Sequence, residues 1–368
     1  MSDVGIDNDG WTDFDLHGRV GIRVAAGTPA AAQLRTMLAC FATEHPVPGD
    51  IVVTEDLEAY PEAAELEDEL RYTPHSLELV PEGVQVVRDG DRFAIHGSGE
   101  LLTTLVPVMD RAMVRQRAAM FHAATVAYRG HAIALPAGGG TGKTSTVAKL
   151  MRQDGFSFMG DDWAFLADDG GVLGYEKPMF IKPHHRPIYP HLFQGARKPL
   201  LPVALSRPVG RLTTVAHPWF TRHPALAARA RRWSPEHRTV RAADALPHVV
   251  VTRSAPLHLA VHIERHGGST PRLTEVDTAW LVDRMLGNFH IEMACFSQAV
   301  VTAMAATSML SWSEYVDDKR EVLAKGLDGI PAYLLQVPAR HSADQASGEV
   351  VAAVMDLLEL HPVPEVTP

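Results

Sequence analysis

The alternation of apolar and polar positions predicts an α/β protein whose first 120 residues contain several short strands. Residues 18–24, 50–54, 84–88 and 92–96 are the candidate strands, and turn-forming residues separate them. Residues 101–118 then carry apolar side chains at helical spacing, which predicts an amphipathic helix. We therefore expect an α+β N-terminal module over residues 1–117.

After residue 118 the apolar runs become longer. The alternating residues 121–128 predict a strand that turns at Arg129-Gly130 into a second apolar run ending near Ala137. A glycine-rich turn follows and ends in Gly142-Lys143-Thr144, and apolar residues at helical spacing come directly after it. This strand–loop–helix order is typical of a phosphate-binding loop.

Each residue type in this loop suits the binding of a polyphosphate. Glycines let consecutive backbone N–H groups face phosphate oxygens, and the start of the following helix adds a favourable dipole. Lys143 can reach the β- and γ-phosphates and the Thr144 hydroxyl can bind Mg²⁺. Ala137 stands where the motif has its first glycine, which is acceptable where a positive φ is not required. The alternative is a structural turn beside a chance Gly-Lys-Thr. The predicted nucleotide-binding residues are Gly138, Gly139, Gly140, Thr141, Gly142, Lys143, Thr144 and Ser145.

Two adjacent carboxylates, Asp161 and Asp162, follow an apolar run and precede another. A strand ending there would bring both side chains close to the loop, where one carboxylate can hold Mg²⁺ and the other can accept a proton from an attacking hydroxyl. Adjacent carboxylates also push their pKa values apart, which suits such a division of roles. The alternative is a pair of turn residues before a hairpin.

The order of His122, the hairpin, the loop with Lys143-Thr144, a helix and Asp161-Asp162 resembles HPr kinase/phosphorylase and its smaller relatives, which share a P-loop core with phosphoenolpyruvate carboxykinase. The resemblance covers residues 118–166 and, more loosely, a C-terminal strand at 329–337. It implies that Asp161 is the general base, that Asp162 is the acid on the magnesium side with Thr144, and that His122 and Lys143 act in phosphoryl transfer. From the residues alone, a structural role for His122 is equally open.

The chain also departs from that family. The Glu-x-Arg-Gly-Leu-Gly stretch that follows the Asp pair in HPr kinases is missing, and residues 175–183 stand in its place. Glu176 and Lys177 are the candidate acceptor-binding residues there. The acceptor is therefore expected to differ from HPr.

Composition is that of an ordinary globular protein, with 46% hydrophobic and 21% charged residues. Cys40 and Cys295 lie far apart, which does not indicate a disulfide framework. The acidic N-terminus does not resemble a signal peptide, and apolar runs stay short of the ~20 residues that span a bilayer. We expect a cytoplasmic protein without a membrane partner.

Charge is distributed unevenly along the chain. Residues 1–100 contain 20 acidic and 6 basic residues, whereas residues 177–241 contain 13 basic residues and one acid, Glu236. The segment at about 184–250 is a candidate lid or insertion over an anionic acceptor, with Arg229, Arg231 and Arg232 on a predicted helix at 224–233. The alternative is an internal balance with the acidic region. Because the chain is acidic overall, nucleic acid is not the expected partner.

Together these features predict a P-loop kinase core over residues 118–368, with a strand at 257–263 and helices at 278–285, 296–310 and 348–360. The expected activity is ATP- and Mg²⁺-dependent transfer of a phosphoryl group to a hydroxyl of a small molecule or peptide. Another nucleoside triphosphate, ADP or pyrophosphate as phosphoryl partner stays open, as does a homo-oligomeric state. The alternative function is a nucleotide-binding regulatory or assembly ATPase without an acceptor.

Overall fold

The computed structural model describes residues 10–57, 59, 62–66, 69–97, 101–182, 185–194, 238–292 and 311–364. Two compact units divide the chain, Met1–Lys177 with Val249–Pro368, and Pro178–His248. The strands are β1 (Trp11–Leu16), β2 (Val20–Ala25), β3 (Ala42–Thr43), β4 (Ile51–Thr54), β5 (Ala64–Leu66), β6 (Leu70–Tyr72), β7 (Ser76–Leu79), β8 (Val84–Asp89), β9 (Arg92–Gly97), β10 (Ala118–Tyr128), β11 (His131–Pro136), β12 (Phe156–Gly160), β13 (Trp163–Ala167), β14 (Gly171–Gly174), β15 (Met179–Ile181), β16 (Arg238–Val240), β17 (Ser254–His266), β18 (Arg272–Glu275) and β19 (Ala332–Pro338).

Seven α-helices fall within the described residues. They are α1 (Pro29–Met37), α2 (Leu102–Arg115), α3 (Lys143–Leu150), α4 (Ala242–Ala245), α5 (Thr278–Glu292), α6 (Asp318–Gly326) and α7 (Ala343–Leu360). A wider helical turn, Ser313–Asp317, leads directly into α6. None of the helices described is long and apolar enough to cross a membrane.

The N-terminal strands form a nine-stranded sheet in the order β3-β1-β2-β4-β9-β8-β7-β6-β5. Its centre is parallel, because β2, β4 and β9 run in the same direction. Helix α2 packs on these three strands and buries Leu105 and Met109 completely. The apolar stripe expected for residues 101–118 is therefore the face that covers this sheet.

The second sheet has the order β11-β10-β13-β14-β17-β19-β18, and β12 pairs with β10. Strands β10 and β11 form the expected hairpin, with Arg129 at φ 48° and Gly130 at φ 82°. Positive φ at both central residues is the geometry of the tight turn that suits the twist of antiparallel strands. Strand β11 also pairs in parallel with β17, which pairs in parallel with β19.

Three helices pack against this second sheet, and one of them also packs against α3, which follows the glycine-rich loop. Helix α7 packs against α3 and β19, α5 packs against β10, and α6 packs against β13. Helix α7 begins at a capping box in which the Ser342 hydroxyl accepts from the Gln345 backbone and the Gln345 side chain accepts from the Ser342 backbone. Several buried aliphatic side chains of α5, among them Leu281 and Met285, join the core of this sheet.

The second unit contains the antiparallel pair β15–β16, helix α4 and a short 3₁₀ turn at Pro190–Phe193. Within it, Arg238 lies over the Phe193 ring, with 5.5 Å between the guanidinium carbon and the ring centroid. The predicted helix at 224–233 lies outside the described residues, as does the one at 296–310.

A mixed α/β architecture with several sheets is confirmed, and most of the expected elements are present with altered ends. The terminal helix begins at Ala343, five residues before the predicted start, and the helix expected at 278–285 continues to Glu292. Strand β1 begins at Trp11, before the first strand that the sequence predicts at residues 18–24. Residue 117, the predicted boundary, lies between α2 and β10, and the residues on both sides of it belong to the first compact unit.

Candidate functional site

The glycine-rich loop connects β11 to α3 and has a backbone that only some residue types adopt easily. Gly140 has φ 77° and Gly142 has φ 110°, both in the left-handed region that favours glycine. Ala137 has no such positive φ; it is fully buried and forms a parallel bridge with Ile263 of β17. The alanine therefore satisfies the condition under which the first glycine of the motif is dispensable.

Lys143 is the first residue of α3, and its side chain folds back over the loop. Its Nζ donates to the carbonyl oxygens of Ala137 at 2.6 Å and of Gly138 at 3.2 Å. The side chain is largely buried, and burial lowers its pKa, while the charges of Asp162 and Asp161 oppose that lowering. The ammonium group thus lies at the base of the loop, close to both carboxylates.

Two hydroxyl side chains near the loop have different surroundings. Thr141 Oγ1 donates to the Gly138 carbonyl at 2.9 Å and closes the loop on itself. Ser145 is fully buried, and its Oγ has no hydrogen-bond partner among the described residues. Any contribution of Ser145 to anion binding therefore comes from its backbone N–H at the helix start.

Asp161 lies against the loop threonine. Thr144 Oγ1 donates to Asp161 Oδ2 at 2.9 Å, and Asp161 Oδ1 is buried without a hydrogen-bond partner in the part of the chain described. Burial raises the pKa of Asp161 to about 6, and the neighbouring charge of Asp162 adds to the increase. A bound cation would therefore stabilise the ionised form of the Asp161 carboxylate.

Asp162 has different neighbours. His122 Nε2 donates to Asp162 Oδ1 at 2.7 Å, and Lys177 Nζ donates to Asp162 Oδ2. Burial alone would raise the pKa of Asp162, but the hydrogen bond from His122 and the charge of Lys177 hold the pKa well below its usual range. The imidazole of His122 also packs against Trp163, with 4.9 Å between ring centroids. At neutral pH Asp162 is therefore an ionised carboxylate held between two donors.

Helix α5 supplies two site residues that the sequence analysis did not identify. Asn288 Nδ2 donates to the Ala137 carbonyl at 2.9 Å and to the His122 carbonyl at 3.2 Å. Glu292 Oε1 accepts from the Gly139 backbone N–H at 2.8 Å and lies 3.5 Å from His122 Nδ1. The available signal was a polar Asn288 in helical phase with the buried Leu281 and Met285.

The other predicted residues separate into two groups. Lys177 joins the site through Asp162, whereas Glu176 lines a different cavity of about 320 Å³ together with His17, Cys40 and Arg253. The structure therefore does not place Glu176 with the Asp pair. Arg229, Arg231 and Arg232 lie outside the described residues.

The residues at the loop fit a magnesium ion that is shared with a bound phosphate. Mg²⁺ prefers oxygen ligands and usually takes only one or two of them from the protein in phosphoryl-transfer sites. Thr144 Oγ1 and the partnerless Asp161 Oδ1 are such oxygens. Among the residues described, no group of three or more His, Cys, Asp or Glu side chains could hold a metal ion by itself.

The chain was compared with protein-family models and with curated proteins. No protein-family model matches the chain, and a search of curated proteins finds no match. The resemblance to HPr kinase relatives therefore depends on the sequence motifs alone.

Proposed function

We propose that the protein is a magnesium- and nucleoside-triphosphate-dependent kinase that phosphorylates a hydroxyl group. The observation that carries this proposal is the hydrogen bond from Thr144 Oγ1 to Asp161 Oδ2 at 2.9 Å. It joins the hydroxyl residue of a phosphate-binding loop to a carboxylate that directly follows β12, a strand that pairs with β10. That combination is the one with which P-loop enzymes hold Mg²⁺ beside the β- and γ-phosphates.

The donor side of the reaction involves the loop and the start of α3. Backbone N–H groups of residues 138–144 would bind the phosphate oxygens, and Lys143 would neutralise the charge that develops during transfer. Thr144 and Asp161 would hold Mg²⁺, which supplies further neutralisation when it is bound. Nearly all of this contribution is electrostatic, as expected for a loose phosphoryl-transfer transition state.

On the acceptor side we assign the carboxylate role to Asp162. Its low pKa keeps it ionised, so it can orient an acceptor hydroxyl and take its proton late in the reaction. His122 and Lys177 fix its orientation through one oxygen each. This distribution is the reverse of the one that the family resemblance implies, in which Asp161 is the base and Asp162 is the metal ligand. The contact of Asp161 with Thr144 and the contact of Asp162 with His122 favour the assignment proposed here.

A phosphoryl-transfer assay with matched lysine variants tests the proposal. The protein is incubated with Mg²⁺, γ-labelled ATP and a cell extract separated into small-molecule and peptide fractions, and labelled products are identified by mass spectrometry. We expect labelled acceptor with the unaltered protein, a loss of roughly 10²–10³ in rate for Lys143→Ala, and little change for Lys149→Ala. Lys149 is on the same helix but donates to the Asp344 carbonyl.

The outcomes separate the competing functions. Labelled inorganic phosphate without a labelled acceptor in any fraction would favour the regulatory ATPase. Equal transfer by Lys143→Ala and the unaltered protein would remove the loop from the reaction.

A further inference from the structure

Glu292 occupies a position that a phosphate oxygen would be expected to take. Its Oε1 accepts from the Gly139 backbone N–H at 2.8 Å, inside the loop whose amides are the anion-binding groups. A Cβ built on Gly139 would lie 3.2 Å from the same oxygen, so the carboxylate is packed closely against the loop backbone. The side chain is 28% exposed, which leaves it room to move away.

The same carboxylate faces the acceptor side of the site. Glu292 Oε1 lies 3.5 Å from His122 Nδ1, and the other ring nitrogen of His122 donates to Asp162. One carboxylate oxygen therefore contacts both a loop amide and the histidine that orients Asp162. Glu292 is the last residue of α5 that the structure describes and lies one turn beyond Asn288, which anchors this helix to the start of the loop.

We propose that Glu292 is a specificity-determining residue, an internal anion that a bound polyphosphate must displace from Gly139. This inference rests on the proposed function of the loop. A hydrogen bond from a backbone N–H to a carboxylate is among the stronger ones in proteins. The binding free energy that a ligand obtains from this amide is therefore reduced by the free energy of the bond to Glu292 that it replaces. An isolated monoanion has few other contacts with which to compensate. A polyphosphate can compensate, because it also contacts Lys143 and the α3 amides.

Displacement also links the two sides of the site. When the carboxylate leaves Gly139 it also leaves His122 Nδ1, because a single oxygen makes both contacts. Binding of the donor thereby removes one of the two carboxylates beside the imidazole while the Asp162 contact stays.

Three substitutions of Glu292 distinguish displacement from general charge repulsion. Glu292→Ala removes both the charge and the hydrogen bond. Glu292→Asp keeps the charge but is one methylene too short to reach the amide, and Glu292→Gln keeps an acceptor oxygen without the charge. Glu359→Ala, an exposed acid near the end of α7, is the control for net charge.

The measurement is the dissociation constant for Mg·ATP and for inorganic pyrophosphate, by titration calorimetry. We expect binding to tighten about ten-fold for both Glu292→Ala and Glu292→Asp, the size of one charge-assisted hydrogen bond. Glu292→Gln should fall between these variants and the unaltered protein, and Glu359→Ala should not differ from the unaltered protein.

Contrary results separate the two proposals. If Glu292→Asp binds like the unaltered protein while Glu292→Ala binds more tightly, long-range repulsion explains the effect and displacement is wrong. Unchanged or weaker binding by Glu292→Ala overturns the inference and leaves the kinase proposal intact. Failure of every variant and of the unaltered protein to bind either ligand overturns the kinase proposal itself.

Discussion

Asp161 and Asp162 are neighbours in sequence, yet the structure gives them opposite electrostatic surroundings. Asp161 is buried against Thr144 with a raised pKa, whereas Asp162 lies between His122 and Lys177 with a lowered one. Sequence reasoning predicts that adjacent carboxylates diverge in pKa. It does not predict which pKa is raised, because that depends on side chains 15 to 40 positions away.

The two carboxylates should therefore respond differently to removal of charge. Asp161→Asn is expected to weaken Mg·ATP binding and to raise the Mg²⁺ concentration required for half-maximal activity. Asp162→Asn should bind Mg·ATP nearly normally but lose roughly 10²-fold or more in transfer rate, by analogy with other electrostatic contributors. Calorimetric titration and rates measured against Mg²⁺ concentration test this, with the exposed Asp154→Asn as control. Interchanged phenotypes would restore the assignment that the family resemblance implies.

His262 on β17 makes the stability of the protein dependent on pH. Burial lowers its pKa from 6.5 to about 4; the charge of Glu264 opposes this lowering, whereas the charges of Arg284 and Lys143 add to it. The unfolded chain therefore binds this proton between pH 6.5 and about 4 while the folded protein does not, so stability falls as the pH falls through that range. The loss is roughly 3 kcal/mol at the lower end, on the scale of 1.4 kcal/mol per pKa unit.

Replacing His262 with an uncharged residue should flatten this part of the pH profile. We expect the free energy of unfolding of His262→Gln to fall less between pH 6.5 and 4.5 than that of the unaltered protein. The exposed His75→Gln serves as control and should keep the original slope. Urea denaturation at several pH values measures the difference, and parallel profiles for all three proteins would show that another group dominates.

Helix α6 approaches strand β13 so closely that its last residue has no room for a side chain. A Cβ built on Gly326 would lie 2.4 Å from the Ala167 carbonyl oxygen, which is main chain and cannot rotate away. The buried face of the same helix contains Val322 and Leu323. Position 326 therefore sets the distance between helix and sheet.

Two glycine substitutions compare a tight helix position with an open one. Gly326→Ala should destabilise the protein by roughly 1–3 kcal/mol, because the helix must shift away from β13. Gly287→Ala, in α5 where a Cβ meets nothing within 4 Å, should instead stabilise it by about 0.5–1 kcal/mol. The melting temperatures of both variants, compared with that of the unaltered protein, test these opposite effects on stability. Equal effects would mean that helix propensity outweighs packing at position 326.

Local sequence signals explain which elements could be predicted. The β10–β11 hairpin, the loop and α3 are consecutive, so periodicity and turn residues identify them. Helix α1 was missed although Thr28 caps it and Pro29 occupies its first turn, which together are a helix start signal. The helix is short and rich in alanine, so its sequence shows no clear apolar stripe. Strand β17 is longer than predicted at both ends, because residues 254–256 pair with β14 and residues 264–266 pair with β19.

Contacts between residues that are far apart in the sequence cannot be predicted from such local signals. The loop residues and the Asp pair were predicted because they lie within 25 positions of one another, from Ala137 to Asp162. Asn288 and Glu292 reach the loop from 151 and 153 positions away, and only the packing of α5 on β10 brings them there. The expected role of the basic region as a lid stays a prediction, because most of it lies outside the described residues.

The parallel pairing of β11 with β17 has a consequence for the synthesis of the protein. Ala132 pairs with Leu257, 125 residues later, so at about 5–20 residues per second the apolar β11 strand waits roughly 6–25 s for its neighbour to leave the ribosome. During that interval one edge of the hairpin that carries the loop is unpaired, which favours association with other strands. Stalled nascent chains should therefore become resistant to protease around β10–β11 only after residues 254–266 emerge. Until then, the hairpin beside the proposed nucleotide-binding loop exposes an apolar edge, which is the kind of surface that chaperones cover.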